Sequence, residues 1–366
     1  MTKIGICFGG YCPMHRGHLD AIMRAKKEND KVFVIVCGYN NEERAGNINM
    51  TLKERTAIVR KIFANDEIIT VSSINDTELG IDESMSDDNW IIWQNKVKEI
   101  INPYRSGNSN TVTWYLAEPF YKEMIEKHNV IKDAVKESSV VLIDKVLPIS
   151  GTEIRKNPLK YWKYIVKEFR NNLCHNILIT GTASEGKTTL VRDISTYFGI
   201  DYSEEYGRED LLSKGKIDTD LTADDFVDFL VGQSLDMRKR VFNNDNGVFI
   251  SDTDNLVTLM YALAYVDDPN IPITREEYVG KVLPVAKSLE GRVKWDKIFL
   301  LPPKNKFVDD GSRYMKQASI DERRENFIKL TTLLKRFGLW DKVEILDGNF
   351  LENYERVKEY INNLYE

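Results

Sequence analysis

Two glycine-containing segments constrain the fold most, because each follows a short apolar run and precedes a helical pattern. They are residues 9–18 (GGYCPMHRGH) and 181–188 (GTASEGKT). A glycine-rich turn between a buried strand and a helix is typical of parallel sheets that bind phosphate groups beside the helix N-terminus. Strand and helix patterns continue to alternate after each segment. We therefore predict an α/β protein with two domains, both with mainly parallel sheets.

An aromatic and basic connector, residues 157–173, separates the two halves and has helical spacing. It is not rich in Pro, Gly or Ser, so we expect a structured connector and place the domains at 1–170 and 171–366. Buried strands are predicted at residues 3–8, 31–38, 67–71, 111–116, 140–144, 176–180, 247–251 and 297–301, and helices at 18–27, 51–64 and 354–364.

Charge and cysteine content limit the function classes. The chain has 51 Lys and Arg against 57 Asp and Glu, a formal net charge of −6. Nucleic acid is not expected as a partner, because bulk DNA binding depends on excess cationic charge and no helix-turn-helix module has room before the first strand. We expect no membrane partner, because no apolar run reaches the ~18 residues of a membrane helix. Four Cys without a C-x-x-C pair indicate neither a zinc site nor a disulfide framework, and we expect a cytoplasmic location.

The first glycine segment predicts a triphosphate site. Gly9 and Gly10 let the backbone approach an anion closely. His15 and His18 lie three residues apart at a predicted helix N-terminus, where N–H groups and the helix dipole favour negative charge. Imidazole N–H groups can stabilise charge that builds on an α-phosphate. Two of the four His fall in this pattern, which favours a site over ordinary core or surface histidines.

A second element of the first half follows its last predicted strand, at residues 149–155 (ISGTEIR). Ser150 or Thr152 can cap a helix, and Arg155 is then expected near its first turn, where a guanidinium suits β- and γ-phosphates. Alone, the pattern fits an ordinary capping box; its value comes from its pairing with the His motif.

The second glycine segment is G-x-x-x-x-G-K-T between a strand (NILIT) and a helix, the context of a phosphate-binding P-loop. Lys187 is expected to reach the β- and γ-oxygens, and Thr188 to hold Mg²⁺. Asp252, after the predicted strand 247–251, is expected to order the same Mg²⁺, although a loop-capping Asp also fits. The predicted ATP-binding residues are Gly181, Thr182, Ser184, Glu185, Gly186, Lys187, Thr188 and Thr189.

Two further segments of the second half fit phosphoryl transfer, and each has an ordinary alternative. Residues 204–209 (EEYGRE) contain Glu205, which can accept the proton of an attacking hydroxyl; a solvated charge run also fits. Residues 307–313 (FVDDGSR), followed by Arg323 and Arg324, can form a lid whose arginines close on the transferring phosphoryl group. An ordinary surface loop and helix is nearly as good an interpretation.

These motifs carry a family resemblance. The first half resembles the nucleotidylyltransferases of the H-x-G-H superfamily, and most closely the nicotinamide mononucleotide (NMN) adenylyltransferases of the archaeal and NadR type. The resemblance rests on the His motif and on residues 50–55 (MTLKER), 89–93 (NWIIW) and 150–155 (SGTEIR). The second half resembles the ribosylnicotinamide kinase half of NadR-type bifunctional proteins, through residues 161–163 (YWK), 205–209 (EYGRE), 252–254 (DTD) and 307–313.

The resemblance implies a Rossmann-like adenylyltransferase domain and a P-loop kinase domain that use ATP and Mg²⁺. The kinase would convert ribosylnicotinamide to NMN, and the first domain would join NMN to ATP, giving NAD and pyrophosphate. The implied catalytic residues are His15, His18, Arg155, Lys187, Glu205 and Asp252. The implied ligand contacts are Gly9, Gly10, Tyr11, His15, His18, Ser150, Gly151, Thr152 and Arg155 for adenylyltransferase ATP; Asn89, Trp90 and Trp93 for NMN; Arg313 with the P-loop for kinase ATP; and Glu205, Tyr206, Arg208, Asp252 and Asp254 for ribosylnicotinamide.

Two other functions share these motif types. A fusion of phosphopantetheine adenylyltransferase with dephospho-coenzyme A kinase would lack the N-W-x-x-W and E-Y-G-R-E segments. A non-catalytic nucleotide-sensing regulator is disfavoured because His15, His18 and Lys187 are all present. Trp90 and Trp93, at helical spacing, fit core positions as well as a stacking face for a cationic pyridinium. The sequence leaves a homo-oligomer open.

Overall fold

The computed structural model describes residues 2–39, 48, 50–82, 84, 86–104, 110–144, 149–309 and 313–366. The chain forms two compact units, Met1–Leu173 and Cys174–Glu366. The division falls after Leu173 rather than at residue 170, because the connector packs into the first unit and buries Trp162, Ile165 and Phe169.

The first unit is a five-stranded parallel sheet in the order β3-β2-β1-β4-β5. Its strands are β1 Lys3–Gly9, β2 Lys31–Gly38, β3 Ile69–Asn75, β4 Thr111–Leu116 and β5 Glu137–Leu142. Its helices are α1 Arg16–Glu28, α2 Leu52–Ile62, α3 Asp87–Ile101, α4 Pro119–His128, α5 Gly151–Lys156 and α6 Lys167–Arg170, with 3-10 turns at Asn102–Tyr104, Lys132–Ala134 and Trp162–Tyr164. Apolar side chains of β1, β2 and β4 pack against α3 to form its main core.

The second unit is another five-stranded parallel sheet, in the order β10-β9-β6-β8-β7. Its strands are β6 His175–Gly181, β7 Tyr202–Ser203, β8 Val248–Asp252, β9 Lys297–Leu301 and β10 Val343–Ile345. Its helices are α7 Lys187–Phe198, α8 Tyr206–Lys214, α9 Ala223–Asn243, α10 Asn255–Tyr265, α11 Arg275–Glu277, α12 Leu283–Leu289, α13 Ile320–Arg336 and α14 Phe350–Tyr365, with a π-helical turn at Tyr278–Val282 and 3-10 turns at Asp218–Asp220, Met315–Ala318 and Trp340–Lys342. Within the described ranges, every helix is too short or too polar to cross a membrane.

Several element boundaries differ from the sequence prediction for local reasons. Helix α1 begins at Arg16 instead of residue 18, because His15 itself caps the helix. Helix α2 begins after Thr51, because the Thr51 side chain forms a capping box with Glu54. Strand β3 extends to Asn75 and β5 starts at Glu137. Strand β7 has only two residues and lies directly before Glu204, where a strand-like stretch is expected. Strand β10, of three residues, was not predicted, since so few residues give no alternating pattern.

Gly181, at the end of β6, is expected to be the glycine least tolerant of substitution in the second sheet. Its φ is 149°, and a Cβ there would lie 2.5 Å from the Leu301 carbonyl oxygen of β9. Gly181→Ala should lower the free energy of unfolding by about 2–3 kcal/mol, measured by urea denaturation. Gly280→Ala is the matched control, because Gly280 is helical and no atom lies within 4 Å of its Cβ position. Equal stability of the two variants would contradict the close approach.

Candidate active sites

The first site is built where β1 ends and α1 begins. His15 caps α1, and its backbone N–H donates to Nδ1 of His18 at 3.2 Å. The two imidazole rings stack with centroids 3.7 Å apart, and the edge of Tyr11 contacts His18 at 5.0 Å between centroids. Because the two histidines are three residues apart, the first turn of α1 brings the His18 ring to the His15 N–H, and this contact orients the ring.

These contacts set the protonation of His18. Burial, reinforced by the neighbouring His15, holds the pKa of His18 well below its usual value, so the ring is neutral at pH 7. Its Nδ1 already accepts a hydrogen bond from the His15 N–H. In a neutral imidazole the other nitrogen then carries the proton. His18 therefore presents Nε2–H as a donor, which suits an anionic oxygen.

A cavity of about 250 Å³ lies over this loop. It brings together seven of the predicted ATP contacts, from β1, the His loop and the start of α5: Gly9, Gly10, Tyr11, His15, His18, Ser150 and Gly151. Ser150 caps α5 by accepting from the Glu153 N–H at 3.2 Å. Two helix N-termini, those of α1 and α5, thus border one cavity, an arrangement that favours a polyphosphate.

Arg155 occupies a different place from the one predicted. Because Ser150 rather than Thr152 caps α5, Arg155 lies in the last turn of this short helix. Its guanidinium donates to the Cys12 carbonyl at 3.1 Å and to Thr152 Oγ1 at 2.9 Å, and it lines the neighbouring cavity. Thr152 therefore holds Arg155, and neither residue lines the cavity over the His loop.

The neighbouring cavity, about 310 Å³, contains the three residues predicted for NMN: Asn89, Trp90 and Trp93. Phe8, Gly10 and Tyr121 line both cavities, so the two share a wall. Ligands in the two cavities would meet across Gly10.

The two tryptophans belong to the core and also line this cavity. Trp90 and Trp93 are each only 6% exposed and belong to the core. Trp93 contacts Phe8 with ring centroids 4.6 Å apart. Each nevertheless lines the cavity. Asn89 also lines it, although its Nδ2 is used to hold Asp82 Oδ1 at 2.8 Å, in the loop before α3.

The second site is built where β6 ends and α7 begins. Gly186 adopts a φ of 81° and starts the helix. Lys187 is buried, and its Nζ donates to the Thr182 carbonyl across the loop at 2.8 Å. Thr188 Oγ1 donates to Asp252 Oδ2 at 2.5 Å. The structure therefore joins the glycine loop to the end of β8 through these two predicted metal ligands.

The electrostatics of this site favour the binding of a metal cation. Burial raises the pKa of Asp252 to about 6, with Lys187 opposing the shift. Asp252 Oδ1 and Thr182 Oγ1 are buried and accept or donate no hydrogen bond within the described part of the chain. A metal ion beside Asp252 would relieve this cost.

Arg313, which was predicted to contact kinase ATP, lies against the glycine loop. Its guanidinium donates to Ser184 Oγ at 2.5 Å and to the Val308 carbonyl at 3.0 Å. Residues 310–312 of the predicted lid lie outside the described residues. A cationic side chain is thus held against the phosphate loop by a segment more than a hundred residues away in sequence.

The carboxylate of Glu185 serves another purpose than the predicted ATP contact. It is buried and pairs with Arg323 at 2.7 Å, and it accepts the backbone N–H groups of Lys304 and Asn305 at 3.2 and 3.1 Å. Because the Glu185 side chain anchors the loop, only the main chain of Glu185 is available to bind phosphate groups.

A small cavity of about 80 Å³ adjoins the glycine loop at Ala183. It contains three predicted residues, Glu205, Arg208 and Arg313. Its other lining residues were not predicted; among them are Asp218, Tyr261, Tyr265 and Gln317. Asp218 accepts from the Tyr314 N–H at 2.9 Å and from the Tyr265 hydroxyl at 3.1 Å, and burial raises its pKa. The only sequence signal was the D-T-D run at 218–220, which resembles an ordinary charged turn.

Three residues predicted to contact ribosylnicotinamide do not line this cavity: Tyr206, Asp252 and Asp254. Asp252 lies instead beside Thr188. The ring of Tyr206 packs against Gly232 of α9, because only glycine leaves room for it there. Asp254 caps α10 by accepting from the Leu256 N–H at 3.0 Å, and it faces a separate cavity beside Trp295. Neither Tyr206 nor Asp254 lines the cavity of Glu205, so we assign both a structural role.

Comparison with known proteins agrees with this division. Residues 6–157 match the cytidylyltransferase-like family, and residues 176–352 match an AAA domain. A NadR protein solved in complex with NR is 30% identical; the alignment covers 100% of this chain and 96% of that one, with a TM-score of 0.81. This chain belongs to the NadR family.

Two further relatives extend the match over the whole chain. A NadR protein solved in complex with NAD and AMP-PNP is 28% identical, with a TM-score of 0.78, and the alignment covers 100% of this chain and 96% of that one. The trifunctional NAD biosynthesis/regulator protein NadR of Salmonella typhimurium is 27% identical over 98% of this chain and 83% of its own length. The predicted family and the predicted pair of α/β domains are therefore confirmed.

Proposed function

We propose that the chain is a bifunctional enzyme of NAD synthesis, with NMN adenylyltransferase activity in the first unit and ribosylnicotinamide kinase activity in the second. The observation that carries this proposal is the pairing, in each unit, of a glycine loop at a helix N-terminus with an adjoining cavity. The NadR relatives solved with NR, NAD and AMP-PNP support the same ligands here.

In the kinase unit, the attacking 5′-hydroxyl of ribosylnicotinamide forms a new bond to the γ-phosphorus of ATP, and the bond to the bridging β-oxygen breaks. Glu205, in the small cavity beside Ala183, is the proposed acceptor of the hydroxyl proton. Lys187 and Arg313 lie against the glycine loop and stabilise the charge on the transferring group.

Thr188 and Asp252 are the proposed protein ligands of Mg²⁺ in this unit. No group of three or more His, Cys, Asp or Glu suited to a metal occurs among the described residues. This fits an ion held by one carboxylate, one hydroxyl and substrate phosphates instead of a closed protein cage. When bound, the ion supplies Lewis-acid polarisation of the phosphate oxygens.

In the first unit, a phosphate oxygen of NMN attacks the α-phosphorus of ATP, and pyrophosphate leaves. The shared wall of the two cavities, formed by Phe8, Gly10 and Tyr121, supports this proposal, because ligands on its two sides would be neighbours. His18, through its Nε2–H, stabilises the charge on the α-phosphate. No side-chain nucleophile is required, so positioning and charge stabilisation account for the catalysis.

The proposal is tested by incubating the full chain with ATP and Mg²⁺ plus either ribosylnicotinamide or NMN. We expect NMN and then NAD from the first mixture, and NAD with pyrophosphate from the second, resolved by liquid chromatography. Turnover of pantetheine compounds alone would instead identify the coenzyme A fusion. Nucleotide binding without any product would identify a regulator.

Trp90 gives a specific prediction for the NMN cavity. Stacking of a cationic pyridinium on the indole is worth about 1–2 kcal/mol, so Trp90→Leu should raise KM for NMN about tenfold while KM for ATP stays nearly constant. The matched control is Trp114→Leu, because Trp114 is fully buried in the same core but does not line the cavity. Both variants should lose stability. An equal rise in KM for NMN in Trp90→Leu and Trp114→Leu would show that the effect of Trp90 is only structural.

A cytoplasmic location is proposed on chemical grounds. Cys7 and Cys174 are buried free thiols, and burial raises the pKa of the Cys7 thiol to about 12. Free thiols suit a reducing compartment, and both proposed reactions consume ATP.

A further inference from the structure

The connector contacts the His loop directly. Its extended pair Ile165 and Val166 runs between the 3-10 turn Trp162–Tyr164 and helix α6. Ile165 forms an antiparallel bridge with His15, and the Val166 N–H donates to the Met14 carbonyl at 3.0 Å. A segment that the proposed chemistry does not use therefore holds the residue preceding the histidine pair.

The connector is itself fixed. Ile165 and Val166 are 2% and 7% exposed. The Ile165 carbonyl accepts from Arg170 Nε at 3.1 Å, and the Arg170 guanidinium lies 5.6 Å from the centre of the Trp162 ring. The pair is thus a rigid support, with its shape set by the connector's own side chains.

His15 is consequently fixed from two directions. Its N–H is held by Nδ1 of His18, and the carbonyl of the residue before it is held by Val166. The His15 N–H bond also orients the His18 ring and its Nε2–H. A shift of Met14 would therefore move both histidines relative to the α-phosphate.

We propose that Ile165 and Val166 are positioning residues for adenylyl transfer, with the Val166 N–H as the group that fixes the His loop. The inference rests on the proposed function of the first unit and adds to it a part of the machinery outside the H-x-G-H motif. The connector thus positions the His loop of the first unit and also links the first unit to the second in sequence.

The backbone conformation at Val166 is compatible with proline. Val166 has φ −62° and ψ 133°, and Ile165 has φ −73° and ψ 132°. Proline requires φ near −65° and an extended residue before it, and both conditions are met. Val166→Pro therefore fits the local chain, removes the N–H and puts the ring Cδ against the Met14 carbonyl, which displaces that carbonyl from the connector.

Two controls separate the hydrogen bond from packing and from the proline ring. Val166→Ala keeps the N–H and removes side-chain volume. Lys167→Pro places the same ring at the first residue of α6, a position that tolerates proline, and keeps the Val166 N–H. Kinase activity, measured on the same chain, reports whether the second unit is intact.

We expect Val166→Pro to lower kcat of adenylyl transfer about 10- to 100-fold, with KM for ATP and NMN changed less than about threefold. Val166→Ala and Lys167→Pro should stay within about threefold of the unmodified chain, and kinase activity should be unchanged in all three. Equal kcat in Val166→Pro and its controls would overturn the proposal.

Two further measurements keep the test decisive. If Val166→Pro does not fold, Arg170→Met removes the donor to the Ile165 carbonyl; a lower kcat with normal kinase activity supports the proposal, and an unchanged kcat overturns it. The ¹⁵N shifts of the His18 ring should change in Val166→Pro and not in Val166→Ala. Because these shifts need no turnover, they test positioning even if the unmodified chain makes no NAD, an outcome that would refute the proposed function itself.

Discussion

Lys187→Ala is expected to lower kinase turnover on the order of 10³-fold, because it removes the cation that faces the β- and γ-phosphates. Lys187 is buried at the start of α7 and bridges the glycine loop through the Thr182 carbonyl. Adenylyl transfer by the same variant should change less than about twofold, since the His loop belongs to a separate compact unit. Both rates are measured on one preparation, with ribosylnicotinamide and NMN as the alternative substrates.

The matched control for this prediction is Lys239→Ala, on the exposed face of α9. It removes the same charge from the same unit and should leave both activities intact. An equal loss of the two activities in Lys187→Ala would contradict the existence of two independent sites. A kinase rate within a few fold of the unmodified chain would remove Lys187 from the chemistry.

The parts of both sites that could be predicted from sequence are local. Each glycine loop lies between a buried strand and a helix of its own, so the sequence of residues 9–18 and 181–188 was enough to place each loop at a helix N-terminus. The capping box at Thr51 and the N-cap at Ser150 follow the same rule. For this reason the strand order did not have to be known to place His15, His18, Lys187 and Thr188.

The parts that could not be predicted depend on tertiary contacts. Glu185 belongs to the P-loop pattern, yet a partner 138 residues away, Arg323, decides where its carboxylate goes. Asp254 stands two residues after Asp252, but the start of α10 turns it into a helix cap. Asp218 and Tyr265 meet in the small cavity from separate elements, and no spacing in the sequence connects them.

The connector shows the same limit. Its aromatic and helical pattern predicted a structured segment, and its buried Trp162 and Phe169 agree. The contacts that support the His loop come from the main chain of Ile165 and Val166. This main chain pairs with His15 and Met14, about 150 residues earlier. Backbone hydrogen bonds between distant segments leave no residue-type signature, so only the structure could reveal this support.

His18→Ala is expected to lower adenylyl transfer by about 10²-fold or more, the usual loss when one preorganised donor to a developing charge is removed. His18→Gln, which retains an N–H donor, should recover part of this loss. Kinase activity should be unaffected by either substitution. His128→Ala is the matched control, because His128 ends α4 in the same unit and lines neither cavity.

The pH dependence distinguishes how His18 acts. Burial lowers its pKa, so the ring stays neutral across the range in which a free histidine, with a pKa of about 6.5, would lose its charge. A neutral Nε2–H donor predicts that the His18 contribution, taken as the ratio of unmodified to His18→Ala rates, is constant from about pH 6 to 8. A cationic His18 would instead make that ratio fall as pH rises through this range. A constant ratio together with a large loss assigns the stabilisation to an oriented hydrogen bond, which is what the His15 N–H contact to Nδ1 is built to provide.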